Sequence, residues 1–288
     1  MERVLVTGAA GFVGGHLRAE LGDAFVPFEG DVLDADALRR AVRGADAIVH
    51  LAAESSVASS WEDPLRAWRV NVDGTVNVLD AARAEQPEAR VLVASTCEVY
   101  GRAERIPTPE EEPVRPVSPY AATKAAAELA CTVSGLDVVV VRPSNHEGPG
   151  RDERFAVGSW ARQIARLESE GGGSLLVGDL TAERDIVDVR DVCRAYRLLL
   201  NRSVAAGTYN VGSGRTVTMA HVVELLVELA KVPVRVERDE SRRRPAEIPR
   251  LAGDPARLQA ATGWMPEIPL ERTLADTLGA ARELEPAR

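Results

Sequence analysis

Apolar residues along this chain fall into short unbroken runs separated by longer stretches with helical spacing. The runs at 4–6, 25–28, 47–49, 91–94 and 138–141 are too short for helices and are mostly rich in Val, so they predict strands covered on both faces. Between them, the stretches near 14–21, 35–43, 64–84 and 119–133 carry helical patterns. Strand and helix in alternation predict parallel strands joined by crossover helices, which is an α/β fold with a doubly wound sheet. After residue 148 the pattern changes. Pro and Gly cluster at 143–150, followed by a helix near 155–169, a short strand at 175–177 and an Arg-rich stretch at 235–250. We therefore expect a first domain over 1–148 and a smaller lobe, mainly 149–288. The two are expected to be interleaved, because segments within 184–214, notably 186–191 and 209–211, have the pattern of returns to the sheet.

Two segments in this frame carry chemistry. Thr7-Gly8-Ala9-Ala10-Gly11-Phe12-Val13-Gly14 follows the first strand and opens the first helix, the context in which a glycine run holds a dinucleotide. Gly8 allows the tight turn, Gly11 lets the backbone approach a pyrophosphate, and Gly14 lets the helix pack on the strand, with the helix N-terminus facing the phosphates. The second segment is Tyr120-Ala121-Ala122-Thr123-Lys124. Residues four apart share one face of a helix, so the ammonium is expected near the phenol, where it would favour the ionised form. Together they describe the two halves of a hydride-transfer site: a cofactor cradle and an acid/base pair.

Size and charge narrow the picture. The chain has 288 residues, 45% of them hydrophobic, enough for one domain with an appended lobe. A formal net charge of -9 argues against a nucleic-acid surface, which needs clustered Lys and Arg. The one basic run, Arg242-Arg243-Arg244, stands beside Pro245 and Glu247, and its guanidinium groups suit a substrate diphosphate. The three cysteines, Cys97, Cys131 and Cys193, have no metal-site spacing and suit a reducing compartment. The start of the chain has no apolar leader and no run reaches membrane-spanning length, so a soluble cytoplasmic protein is expected, with no membrane partner.

Together with Ser95-Thr96-Cys97-Glu98-Val99-Tyr100-Gly101, Asn71-Val72-Asp73-Gly74-Thr75 and His50-Leu51-Ala52-Ala53, the two motifs resemble the extended short-chain dehydrogenase/reductase family of nucleotide-sugar epimerases, dehydratases and reductases, which has a Rossmann-type sheet. The resemblance covers nearly the whole chain. Later segments are similar to the branch that handles GDP-mannose derivatives, its 4,6-dehydratases and 4-keto-6-deoxy reductases. They are Arg142-Pro143-Ser144-Asn145-His146-Glu147-Gly148-Pro149-Gly150, Arg184-Asp185-Ile186-Val187-Asp188, Arg244-Pro245-Ala246-Glu247-Ile248-Pro249 and Thr262-Gly263-Trp264-Met265-Pro266.

The resemblance implies roles. Tyr120 exchanges the proton of a sugar hydroxyl, Lys124 supports it and holds the nicotinamide ribose, and Thr96 hydrogen-bonds the reacting oxygen. Gly8, Gly11, Phe12, Val13, Asp31, Val32, Leu51, Ala52, Ala53 and Asn71 would contact NAD or NADP. Asn145, Arg184 and Arg244 would meet the sugar diphosphate and Glu247 the nucleotide ribose; His146 reads as structural. Glu98 matches the carboxyl that 4,6-dehydratases use to abstract a proton, but its neighbour is Cys97, a poor proton donor beside a carboxylic acid; one glutamate can serve both steps and related reductases also carry it, so Glu98 alone does not separate the two reactions. We therefore expect an NAD(P)-dependent reductase acting at carbon 4 of a 4-keto-6-deoxy nucleotide sugar. A dehydratase or 4-epimerase that recycles bound NAD is the alternative within the family, and a non-catalytic binding protein the alternative outside it. The last is raised by one departure. The stretch 24–34 compresses the family's second and third strands into a few residues, so that Asp31-Val32 matches the end of the third strand and Glu29 is left as ribose reader; this leaves NAD and NADP equally open. A homodimer through the helices near 64–84 and 119–133 is expected by resemblance alone.

Overall fold

The computed structural model describes residues 2–242 and 248–285. In chain order the first half comprises β1 (Val4–Thr7), α1 (Phe12–Leu21), β2 (Phe25–Pro27), α2 (Ala35–Val42), β3 (Ala47–His50), α3 (Val57–Glu62), α4 (Pro64–Trp68), α5 (Gly74–Glu85), β4 (Arg90–Ala94), α6 (Pro119–Thr132) and β5 (Val138–Pro143). A π-helical turn, Arg69–Asp73, joins α4 to α5 without a break. The second half comprises β6 (Asn145–Glu147), α7 (Ala156–Glu170), β7 (Gly173–Val177), β8 (Glu183–Arg184), β9 (Ile186–Asp188), α8 (Val189–Leu199), β10 (Gly207–Val211), β11 (Val217–Thr218), α9 (Met219–Glu228), β12 (Val234–Arg238), β13 (Arg250–Leu251), α10 (Ala256–Thr262) and α11 (Leu270–Glu283).

Six strands form one parallel sheet in the order β10-β5-β4-β3-β1-β2. Every residue of β1, β3 and β5 is buried, as the unbroken apolar runs require of strands covered on both faces. One face packs Val4, Val6, Val49, Val139 and Val141 against Leu17 of α1 and Val192, Tyr196 and Leu199 of α8; the other packs Leu5, Ile48, Val91 and Val140 against Leu38, Val78 and Leu79 of α2 and α5. Strand order reverses between β1 and β3, so a crevice opens beyond their carboxyl ends. A third core joins Trp160 and Ile164 of α7, Leu175 of β7, Val222 and Leu226 of α9 and Leu274 and Leu278 of α11 into a second lobe.

Two expectations are corrected. There is no third strand at Asp31-Val32. The sheet, among the described residues, ends at β2, because the seven residues 28–34 cannot make the crossover that another parallel strand requires. Asp31 instead forms a turn, its Oδ1 accepting from Leu33 N–H at 2.9 Å and its carbonyl from Asp34 N–H at 2.9 Å. The edge position also explains how Pro27 is accommodated in a strand, since the missing donor interrupts no further ladder. The segment 186–191 does not return to the main sheet: β10 pairs with β5 as expected, which fills that edge, and β9 pairs with β6 in a separate ladder.

Candidate active site

A cleft of about 1290 Å³ runs from the glycine loop past the ends of β3 and β4 to the residues after β5. It exceeds the size usual for one drug-like ligand, so a dinucleotide and a second molecule fit the scale. Its floor is backbone. Gly8 has φ +68°, and a Cβ there would stand 2.6 Å from the Ala52 backbone nitrogen; a Cβ on Gly14 would stand 2.6 Å from the carbonyl oxygens of Gly8 and Ala9. Gly14 therefore packs against the loop carbonyls rather than against the strand. At Gly11, the N-cap of α1, a Cβ would meet only the Gly8 carbonyl, at 3.2 Å, leaving an open backbone at a helix N-terminus where a pyrophosphate can approach. The residues present fit a dinucleotide.

The acid/base pair is placed by α6. Ser118 caps this helix, its Oγ accepting from Ala121 N–H at 3.1 Å, with Pro119 in the first turn, so Tyr120 enters at the helix start and its own N–H donates to Ser60 Oγ at 3.1 Å. Tyr120 and Lys124 are both buried and both line the cleft, as does Thr96, which acts on the Tyr120 phenol. Burial pushes the phenol above its ordinary value and the Glu98 charge adds to that, while Thr96 and Arg151 oppose it. The expected pull from Lys124 is not among these causes. Its ammonium donates instead to the Ala94 carbonyl at the end of β4, at 2.8 Å, and burial lowers it to about 8.

Behind the pair lies a buried polar network. Arg142 of β5 makes forked hydrogen bonds to Glu128, one turn beyond Lys124, with its Nη2 2.5 Å from Oε2, and reaches the Tyr100 hydroxyl at 2.9 Å. Glu128 also accepts from Ser95 Oγ, and Tyr100 donates to Asn210 Oδ1 at 2.7 Å. This ties β4, β5, β10 and α6 together beneath Thr96 and Lys124. Cys97 belongs to this interior. It is fully buried, its thiol donates to the Arg142 carbonyl at 3.1 Å, it does not line the cleft, and burial pushes it up to about 12. Its neighbour Glu98 is half-buried and does line the cleft.

Most residues singled out from the sequence meet here: Gly8, Gly11, Phe12, Val13, Asp31, Val32, Leu51, Ala52, Ala53, Thr96, Glu98, Tyr120, Lys124 and Asn145 all line the one cleft. Asn71 does not. Its side chain is held by Glu54 N–H at 2.8 Å and by bonds it donates to the Glu54 carbonyl at 3.1 Å and Thr123 Oγ1 at 2.8 Å, so it fixes the wall after β3 to α6. Arg184 sits on β8, outside the lining, and donates to the Glu183 carbonyl at 2.9 Å. Arg244 and Glu247 lie outside the described residues. The sequence reasoning passed over Ser144, Arg151 and Phe155, which line the cleft, and took His146 as structural. His146 also faces the cleft, stacked on Phe12 at 6.2 Å, and burial lowers it to about 4. The only signal available for Arg151 was its place after the Gly148-Pro149-Gly150 turn.

A doubly wound sheet with a glycine cradle and a buried Tyr-x-x-x-Lys helix facing it defines a short-chain dehydrogenase/reductase of the extended kind. Within that class the GDP-mannose 4,6 dehydratase family matches residues 18–277, and the chain belongs to this family. It is 39% identical to the GDP-6-deoxy-D-mannose reductase of Pseudomonas aeruginosa, with 95% of each chain covered, and 36% identical to a dTDP-glucose 4,6-dehydratase of Streptomyces griseus, covering 96% of this chain and 92% of the relative. Its fold superposes on the structure of RMD from Pseudomonas aeruginosa complexed with NADPH with a TM-score of 0.91, at 38% identity, over 99% of this chain and 100% of the other.

Proposed function

We propose that this protein is an NAD(P)H-dependent reductase of a 4-keto-6-deoxy nucleotide sugar of the GDP-mannose series. The observation that carries the choice of reaction is the placement of Cys97 and Glu98. Dehydration needs a proton for the departing hydroxyl as well as a base for the neighbouring carbon, and the thiol beside Glu98 is turned into the core and held protonated, out of reach of the cleft. Reduction needs neither group. The likeness to the Pseudomonas reductase supports the same reading.

A nicotinamide dinucleotide, when bound, supplies the hydride. The chain's own part is to hold the keto oxygen and protonate it. Thr96 donates to the oxygen as charge develops on it, and Tyr120, held protonated by burial, passes on its phenolic proton. Lys124, fixed on the Ala94 carbonyl, keeps a positive charge beside the reacting centre below about pH 8. The assembled Thr96, Tyr120 and Lys124 weigh against a non-catalytic binding protein. Glu98, which lines the cleft and could serve as both base and acid, keeps a dehydratase as the second reading.

Residues 1–148 with β10 would form the cofactor half and the lobe around α7, α9 and α11 the sugar-nucleotide half. The exposed apolar residues Trp61, Leu65 and Trp68, with Leu129 on α6 and Val133 just past its end, support a homodimer through these helices. The three cysteines are free and buried, which suits a cytoplasmic setting, and no helix among the described residues is long and apolar enough to cross a membrane. The deciding experiment is incubation with the 4-keto-6-deoxy derivative of GDP-mannose and NADH or NADPH. Cofactor oxidation in step with product is expected. Net conversion of GDP-mannose to its 4-keto-6-deoxy derivative by this protein alone would overturn the proposal.

A further inference from the structure

Arg151 stands between the Gly148-Pro149-Gly150 turn and α7, and its side chain is nine-tenths buried yet lines the cleft. The guanidinium lies 3.7 Å from the Phe155 ring centroid and 4.9 Å from that of Phe12, the residue that follows Gly11 in the glycine loop. Both rings fix its plane. Its one ion-pair partner among the described residues is Glu147, itself buried, with Nε 3.1 Å from Oε2. Neither of those two atoms makes a well-directed hydrogen bond in the structure, and no hydrogen bond to a described residue is made by either Nη group.

A guanidinium buried only to support the fold is expected to have its donors matched, as those of Arg142 are by Glu128, Tyr100 and the Glu110 carbonyl. Arg151 differs. Two aromatic faces and one carboxylate hold it in place while its fork is left open on the cleft that also holds the helix N-terminus at Gly11. An open, oriented fork matches two oxygens of a phosphoryl group.

We propose that Arg151 is an anion-binding residue of this cleft, its Nη groups taking phosphoryl oxygens of a bound diphosphate, with Glu147, Phe12 and Phe155 holding the guanidinium in position. The diphosphate belongs either to the dinucleotide or to the sugar nucleotide. The pairing of those two sources rests on the function proposed above. Arg151 is also one of the groups that oppose the rise of the Tyr120 phenol.

The test is calorimetric titration of NADH, NADPH and GDP into the parent protein, Arg151→Met and Arg151→Lys, with melting curves to establish folding. Loss of a charge-assisted phosphate contact corresponds to roughly 10- to 100-fold weaker binding. Arg151→Met is expected to lose that much for at least one probe: the reduced dinucleotides if the site takes the cofactor pyrophosphate, GDP if it takes the sugar nucleotide. Arg151→Lys, which keeps the charge without the fork, is expected to lose less for the same probe. If Arg151→Met does not fold, Arg151→Lys carries the test with an expected loss of about 5- to 10-fold. Parent-like affinity for all three probes in the folded variant that carries the test would overturn the assignment, as would failure of the parent protein to bind any of them. A protein that binds these ligands through Arg151 but reduces no keto sugar would leave the assignment standing and remove the proposed reaction.

Discussion

Replacing Tyr120 by Phe removes one hydroxyl and leaves a buried ring where it was. The residue is 9% exposed, so the ring's packing carries its contribution to stability, and the variant keeps it. What the fold loses is at most one neutral polar contact, that with Thr96, of about 1 kcal/mol. Thr96 keeps its other bond, accepting from Glu98 N–H at 3.2 Å. For a chain of this size that corresponds to a melting shift of roughly 2–4 °C. Catalysis loses the group that protonates the new alkoxide, typically ~10²- to 10⁴-fold, or about 3–5 kcal/mol of transition-state stabilisation. The two effects are therefore well separated. Turnover, followed as NAD(P)H consumption with the keto sugar, is expected to fall at least ~100-fold, while dinucleotide affinity by calorimetry stays close to the parent's. A folded Tyr120→Phe protein that still turns over at more than about a tenth of the parent rate would show that another group delivers the proton and that the burial-raised phenol is incidental.

Glu98→Gln is expected to cost far less turnover than Tyr120→Phe, with no solvent deuterium entering carbon 5 of the product; comparable loss with deuterium incorporation would identify a dehydratase. Gly11→Val is expected to abolish dinucleotide binding in calorimetry with the fold kept, because its Cβ meets only the Gly8 carbonyl while the branched side chain fills the pyrophosphate approach. Gly8→Ala, with φ +68° and a Cβ 2.6 Å from Ala52 N, is expected instead to lower stability by about 2–4 kcal/mol in denaturant titration. Because burial lowers Lys124 to about 8, its ammonium is present below that pH and lost above it. The pH profile of kcat/KM, which reports the free enzyme, should therefore fall through about pH 8, and a Lys124→Met variant, active only weakly, should lack that limb.

The features legible in the sequence were those fixed over a few residues. The glycine loop could be read because its turn, its exposed backbone and its helix start all lie within eight positions, and Tyr120 with Lys124 because four residues make one helical turn. What depended on distant chain was not legible. Spacing placed the Lys124 ammonium on the phenol's side of α6, but the carbonyl that holds it comes from Ala94, thirty positions earlier. Asn71 stood in a motif associated with the cofactor, yet Glu54 and Thr123 take up its amide. Arg151 had no motif at all, and its orientation comes from Phe12, far away in the glycine loop.

Cys97 and Glu98 show why adjacency in sequence misleads about shared chemistry. They open a single 3-10 turn capped by Thr96, whose Oγ1 accepts from Glu98 N–H. Successive side chains of such a tight turn diverge, so Cys97 enters the core beside Val99, Tyr100 and Leu251 while Glu98 faces the cleft. A carboxylic acid at position 97 would meet the same interior, where Arg142, Ser144 and Asn210 already surround the thiol. A thiol is thus a weak proton donor at position 97, and in addition this backbone turns position 97 into the core, away from the cleft. A dehydration that pairs Glu98 with an acid at the neighbouring position has no such acid here, and reduction by Tyr120 and Thr96 requires no carboxylic acid.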